Sequence, residues 1–301
     1  MKAVIIDRYG PPEVLAVADL DEPRPGPGEI LVRVAAVAVN PVDLAVRRGD
    51  IRSPVLPAVV GWDVSGTVVE TGPGATRFRV GDRVIAARSP LGTGAGVSAE
   101  YVVLEETLAA EAPGNVPLQE AAALPLTALT AEQALDRLGP DFQGRLLVSG
   151  AAGAVGGHLV QLAALRGLRP AGLARTSDAP TVTALGAAEV FSDTAPPPAG
   201  SFDAVIDAAG RPATIAALRD GGRFISLTPF AVPEAERSVD VEIYGVRTDG
   251  TMLDALARHV EAGKLTLRVA HVLSFEDAPR AHALLEAGGT RGKILLTPTV
   301  T

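Results

Sequence analysis

The sequence predicts an α/β protein in two parts, a β-rich domain followed by a doubly wound parallel sheet. Up to about residue 115 the chain reads as short β-like runs separated by proline- and glycine-rich turns. After Pro113 apolar strands alternate with helical segments, the pattern of βαβ units. One of those strands runs straight into a glycine-rich turn that opens a helix, at residues 149 to 163.

In the first part, strands are expected at 3–6, 29–37, 66–70, 83–87 and 100–104, with loops at 23–29 (PRPGPGE) and 71–84, where proline and glycine favour turns. Residues 118–138 are rich in alanine and leucine at helical spacing. Strands of the parallel sheet are expected at 145–149, 170–174, 203–207 and 223–227, and the PPPAG stretch at 196–200 is a loop among them. The chain closes with LTLRVAHVL, a helix near 279–286 and GKILLTP. These two late strands have no evident βαβ partner, so they are expected to return to the first domain. The resulting division is 1–115 with 265–301, and 116–264.

With 27 basic against 35 acidic residues, a net charge of −8 and no basic run of five, the chain as a whole repels a nucleic-acid backbone. The absence of cysteine removes disulfides, thiol nucleophiles and thiolate metal sites together. At the N-terminus a short apolar stretch is broken by Asp7, too short for a signal sequence or a membrane span, which points to a cytoplasmic protein with no membrane partner.

The glycine segment, Ser149-Gly150-Ala151-Ala152-Gly153-Ala154-Val155-Gly156, is the most informative. Glycines at 150 and 153 let the backbone turn sharply and approach a pyrophosphate, and Gly156 lets helix and strand pack closely. The amides at the helix start, including those of Ala151, Ala154 and Val155, then favour an anion. The helix is expected to bury Val155, Leu159, Leu162 and Ala163. The plainer alternative is an ordinary tight turn of a doubly wound sheet.

At the end of the next strand an NAD-binding Rossmann domain usually places Asp or Glu for the ribose hydroxyls. An NADP-binding one needs a small residue and a nearby arginine for the 2′-phosphate. Here the text reads Ala174-Arg175-Thr176-Ser177, which selects NADPH, with Thr176 and Ser177 as hydroxyl donors. The alternative is an exposed loop arginine without a ligand.

Other chemistries lack their residues. Tyr9, Tyr101 and Tyr244 are followed four positions on by Glu13, Glu105 and Thr248, so no Tyr–Lys catalytic pair exists at that spacing. No serine stands in a GxSxG elbow. His158, His259, His271 and His282 are dispersed, without ligand spacing, and surface or helix-end roles are expected for them.

Taken together, RYGPPEVL (8–15), NPVDLAVRRG (40–49), GWDVSGTVVETG (61–72), FRVGDRV (78–84), AEYVV (99–103), AALPLTALTAEQAL (122–135), SGAAGAVG (149–156) and RGKILL (291–296) resemble the medium-chain dehydrogenase/reductase superfamily, in its zinc-independent NADPH:quinone oxidoreductase branch. The resemblance covers essentially the whole chain. It implies a GroES-like N-terminal domain that receives the C-terminal strands, a Rossmann domain, a cleft between them, and a homodimer through the Rossmann sheet edge, here 239–246. It implies that Asn40 and Thr127 contact the nicotinamide end and Lys293 the cofactor, with Thr130 and Thr228 as lining residues. Zinc-containing relatives carry GHE where this chain has Gly61-Trp62-Asp63, and no metal is expected.

Departures from the family bear on mechanism. A tyrosine found in some quinone reductases is Ala45, the aromatic that precedes Ala-Glu-Tyr is Ser98, and a lysine that often follows the glycine-motif helix is Ala164. Three routes for the proton stay open: water, a quinone acceptor that needs no dedicated acid, or a residue, with Asp43 and the 88–98 loop as candidates. Asn40 and Asp43 are the candidate catalytic residues, and Trp62 and Ser98 the candidate substrate contacts. The expected function is NADPH-dependent hydride transfer to a quinone or α,β-unsaturated carbonyl. The alternative from another class is an NADPH-binding protein with a regulatory, non-catalytic role.

Overall fold

The computed structural model describes residues 1–52 and 55–299. Eight strands come first: β1 (Lys2–Ile6), β2 (Leu15–Asp19), β3 (Glu29–Val39), β4 (Ala58–Val59), β5 (Asp63–Thr71), β6 (Arg83–Ala87), β7 (Tyr101–Glu105) and β8 (Ala109–Glu111). The helix α1 (Pro41–Arg48) lies between β3 and β4, and α2 (Leu118–Ala121) and α3 (Pro125–Asp136) follow β8. The middle of the chain runs β9 (Leu146–Ser149), α4 (Ala154–Leu165), β10 (Ala171–Leu173), α5 (Ala179–Ala184), β11 (Glu189–Phe191), β12 (Phe202–Asp207), β13 (Leu218–Ser226) and β14 (Asp240–Ile243). It ends with α6 (Gly250–Glu261), β15 (Val269–Ser274), α7 (Ala278–Ala287) and β16 (Lys293–Thr297).

The chain divides into two compact units, Met1–Leu126 with the segment from Thr248 onward, and Thr127–Arg247. These bounds differ from the expected 115/116 and 264/265 at both crossings, and α6 supplies the reason. Gly250 sits so close to the strand before it that a Cβ there would lie 2.4 Å from the Thr107 carbonyl oxygen. Asp254 of the same helix accepts from Arg77 at 2.9 Å, and Asn115 donates to the Val260 carbonyl at 3.1 Å. The Thr107 backbone and the Arg77 and Asn115 side chains thus hold α6 in the first unit.

In the first unit one sheet has the order β15-β16-β3-β5-β6-β8, with β7 also on β3, and a small sheet has the order β2-β1-β4. Its core gathers Val4, Ile6, Ile30, Val32, Leu104, Phe275 and Ile294. β16 pairs antiparallel with β3, Ile294 opposite Val39, so the C-terminal strand completes the N-terminal sheet as expected. One expectation is corrected here: β15 and β16 run parallel with α7 between them and so form a βαβ unit of their own.

The second unit is a six-stranded parallel sheet of order β11-β10-β9-β12-β13-β14. Leu147, Leu173, Phe202, Val205 and Phe224 form its core. Strands buried on both faces read as unbroken apolar runs, which is why these were visible in the sequence. β14, one of the two edge strands, lies within the expected 239–246 segment.

Two helical expectations change. The expected 118–138 helix is two helices, α2 and α3, separated at 122–124, with Pro125 as the first residue of the second, where its missing N–H is harmless. In α4 every residue from Gly156 to Ala163 is buried, including His158 and Gln161, whereas Val155 is half-buried. No single stripe faces inward. His158 and His282 are 4% and 1% exposed, so neither is a surface residue.

Candidate active site

In the parallel sheet the strand order reverses between β9 and β12, and ligands of such sheets bind outside the strand ends at that point. The glycine turn occupies this place. Gly150 has φ +73°, and a Cβ on Gly156 would lie 2.1 Å from the Gly150 carbonyl oxygen. No side chain caps α4, whose N-cap is Gly153. Ala151 is fully buried and its amide donates to the Leu173 carbonyl at 3.2 Å, so, against expectation, it is not open to an anion, whereas Ala154 is half-buried at the helix start. The buried Ser149 hydroxyl, just before the turn, has no hydrogen-bond partner among the described residues. A close-packed glycine turn that opens a twelve-residue helix with no side-chain bond at its N-cap fits a dinucleotide pyrophosphate.

At the end of β10, Ala174 is buried and Arg175, Thr176 and Ser177 are exposed. No carboxylate pairs with Arg175 among the described residues, whereas Arg211 beyond β12 is held by Asp193 at 2.6 Å. Thr228 is half-buried just past β13, 3.4 Å from the Ser226 hydroxyl. Thr127, in the first turn of α3, is 3% exposed, and Thr130 is half-buried one turn on.

In the first unit a buried polar cluster joins residues far apart in sequence. The carboxylate of Asp63, at the start of β5, accepts from Lys293 Nζ at 3.1 Å, from Asn40 Nδ2 at 2.9 Å and from the Leu126 amide at 2.6 Å. Asn40 Nδ2 also donates to the Ala38 carbonyl at 3.0 Å, and Asn40 Oδ1 accepts from Lys293 Nζ. Both amide protons of Asn40 are therefore engaged. Asp43, at the start of α1, accepts from the Asn40 backbone amide at 2.8 Å. Burial pushes the Asp43 carboxyl up to about 7, against the pull of the Asn40 amide and the Lys293 charge.

Asn40, Asp43 and Lys293 are thus brought together, as parts of a network centred on Asp63, a residue that sequence reasoning did not single out. Its available signal was a charge inside the apolar run GWDVSGTVV, matched by the lysine that begins KILL. Trp62 and Ser98 are both buried, at 7% and 2% exposed. Gly61 separates Trp62 from the strand before it, and a Cβ on Gly61 would lie 2.3 Å from Ser98 Oγ. The buried Trp62 Nε1 has no hydrogen-bond partner among the described residues.

The donor set does not fit zinc. Asp63 is engaged by a cation and two N–H donors, the sequence holds no cysteine, and no group of three potential ligands gathers among the described residues. Among the described residues no helix is long and apolar enough to cross a membrane.

Residues 26–114 match the alcohol dehydrogenase GroES-like domain, and residues 185–296 match a family described as zinc-binding dehydrogenase. A 2-methylene-furan-3-one reductase of Solanum lycopersicum is 32% identical, over 99% of this chain and 79% of its own length. The NADPH-dependent alkenal/one oxidoreductase of Arabidopsis thaliana chloroplasts is 31% identical, over 99% of this chain and 80% of its own. The structure of a quinone oxidoreductase from Coxiella burnetii superposes with a TM-score of 0.88 at 27% identity, covering 99% of each chain. The chain belongs to the medium-chain dehydrogenase/reductase superfamily, in its quinone oxidoreductase branch.

Proposed function

We propose that this protein is a zinc-independent, NADPH-dependent reductase of a quinone or an α,β-unsaturated carbonyl compound. The observation that carries the reading is the close-packed glycine turn at the strand-order reversal, with the small Ala174 and the exposed Arg175, which no carboxylate pairs among the described residues, at the end of the neighbouring strand. Relatives named as reductases of alkenals and quinones support the substrate class. The same reading includes a homodimer through the β14 edge and a cytoplasmic location.

Bound in the cradle, NADPH supplies a hydride. With an enone the hydride goes to the β-carbon and a proton to the α-carbon; with a quinone, hydride and proton give the hydroquinone. Arg175 pairs with the 2′-phosphate, with Thr176 and Ser177 as hydroxyl donors beside it. Lys293 keeps the Asn40 amide oriented rather than reaching a phosphate, because its ammonium is held by Asp63 and Asn40. Asp43, titrating near neutrality, suits the proton donor, and Trp62 Nε1 suits a substrate oxygen.

The test is oxidation of NADPH, followed at 340 nm, against benzoquinones, naphthoquinones and enones, with NADH in parallel. Turnover with NADPH and one acceptor class is expected. Tight NADPH binding without turnover of any acceptor would replace the reductase by a regulatory, cofactor-binding role.

A further inference from the structure

The last residues of three neighbouring strands lie in register across the centre of the parallel sheet: Ser149 of β9 opposite Asp207 of β12, and Asp207 opposite Ser226 of β13. All three are 0% exposed. Asp207 forms no ion pair among the described residues; its carboxylate turns instead to the loop that follows it. One oxygen accepts from the Ala209 amide at 3.0 Å and the other from the Arg211 amide at 2.6 Å. The Ala208 amide donates back to the Ser149 carbonyl at 3.1 Å. The 208–211 loop held in this way presses on the glycine turn, since a Cβ on Gly150 would lie 2.8 Å from Ala209 Cβ.

A buried carboxylate without a cation is expensive unless its oxygens are satisfied, and here two backbone amides satisfy them. We infer that Asp207 is the positioning residue of the dinucleotide crevice: by bonding the 209 and 211 amides it keeps the 208–211 loop against the Gly150 turn, and so fixes the backbone that meets the pyrophosphate. It does not touch the adenosine 2′-phosphate end, which belongs to Arg175 at the end of β10. This inference rests on the NADPH reading given above. It explains why Gly150 has no room for a side chain even though the turn itself faces a ligand. The neighbouring Arg211 is tied off by Asp193, so the loop brings no free charge to the crevice.

The test compares wild type, Asp207→Asn and Asp207→Ala by titration calorimetry with two probes, NADPH and adenosine 2′-monophosphate, which has no phosphate at the pyrophosphate position. Wild-type binding of both probes establishes the cofactor reading; binding of neither removes that reading and this inference with it. Given binding, Asp207→Ala is expected to weaken NADPH by about tenfold to a hundredfold, the loss of one or two charge-assisted hydrogen bonds. Affinity for the monophosphate should stay within about twofold, because its 2′-phosphate belongs to the Arg175 end of β10 and it places no phosphate on the glycine turn. Asp207→Asn keeps one carbonyl acceptor and should fall between the two, and it carries the test if the alanine variant does not fold. NADPH affinity unchanged in both variants, or equal losses for both probes, would overturn the assignment.

Discussion

The Lys293 ammonium stands 3.1 Å from the Asp63 carboxylate, with the two side chains 4% and 0% exposed, and joins strands whose residues are 230 positions apart. Two opposite charges enclosed this completely hold each other in place, and removing either leaves the other buried alone.

Asp63→Asn and Lys293→Met are each expected to destabilise the protein by about 3–5 kcal/mol, with the double variant well below the sum of the two. Urea unfolding of the four proteins checks this. Additive losses would mean that the pair does not act as a unit.

Stability against pH follows from two buried groups acting in opposite directions. Asp43 titrates near 7 instead of 3.8, so between those values the native state holds a proton the unfolded chain lacks, and stability falls as pH rises. His282 is held to about 3 instead of 6.5 by burial and then by the nearby Arg47 charge, so stability falls as pH drops through that window. Between 3.8 and 6.5 the two effects offset one another. Thermal melts should show Asp43→Asn losing stability on acidification more steeply than wild type, and His282→Gln losing it on moving toward neutrality. Variants that simply parallel the wild-type curve would refute both assignments.

The glycine turn predicts a graded series. An alanine Cβ at 156 meets backbone 2.1 Å away, whereas at 153 the nearest atom is 3.2 Å away. Gly156→Ala should weaken NADPH by at least about a hundredfold, and Gly153→Ala by less than about tenfold. Fluorescence titration of bound NADPH measures both, and equal effects would contradict the close-packing argument.

Arg175→Ala should weaken NADPH by about tenfold to a hundredfold and leave NADH unchanged, since only the former carries the 2′-phosphate. Equal losses for the two cofactors would remove Arg175 from the phosphate site.

The parts of this molecule legible in the sequence are those whose cause is local. Parallel strands such as Leu146–Ser149 and Phe202–Asp207 are apolar because both faces are covered, and the glycine turn follows from backbone dihedrals within a few residues. β4, two residues long, and β8, three, have too few positions to show a period. The break between α2 and α3 does have a local cause, since Pro125 has no N–H to donate four residues back and disfavours helical backbone at Leu124, within a run otherwise rich in helix formers. The Asn40–Asp63–Lys293 cluster was least visible, because its hydrogen bonds cross 23 and 253 positions and no spacing rule operates at that range.

β16 lies between β15 and β3, so the first unit is assembled from the two extremes of the chain. On the ribosome, the Val37–Val39 end of β3 emerges with one side of its ladder open and waits there while Thr127–Arg247, a contiguous stretch, is made and can fold. The carboxylate of Asp63 has no cation to meet until residue 293 has been added. Completion of the N-terminal sheet is thus a late event in synthesis, and any stalled or shortened product exposes an unpaired strand edge, the surface by which such intermediates aggregate.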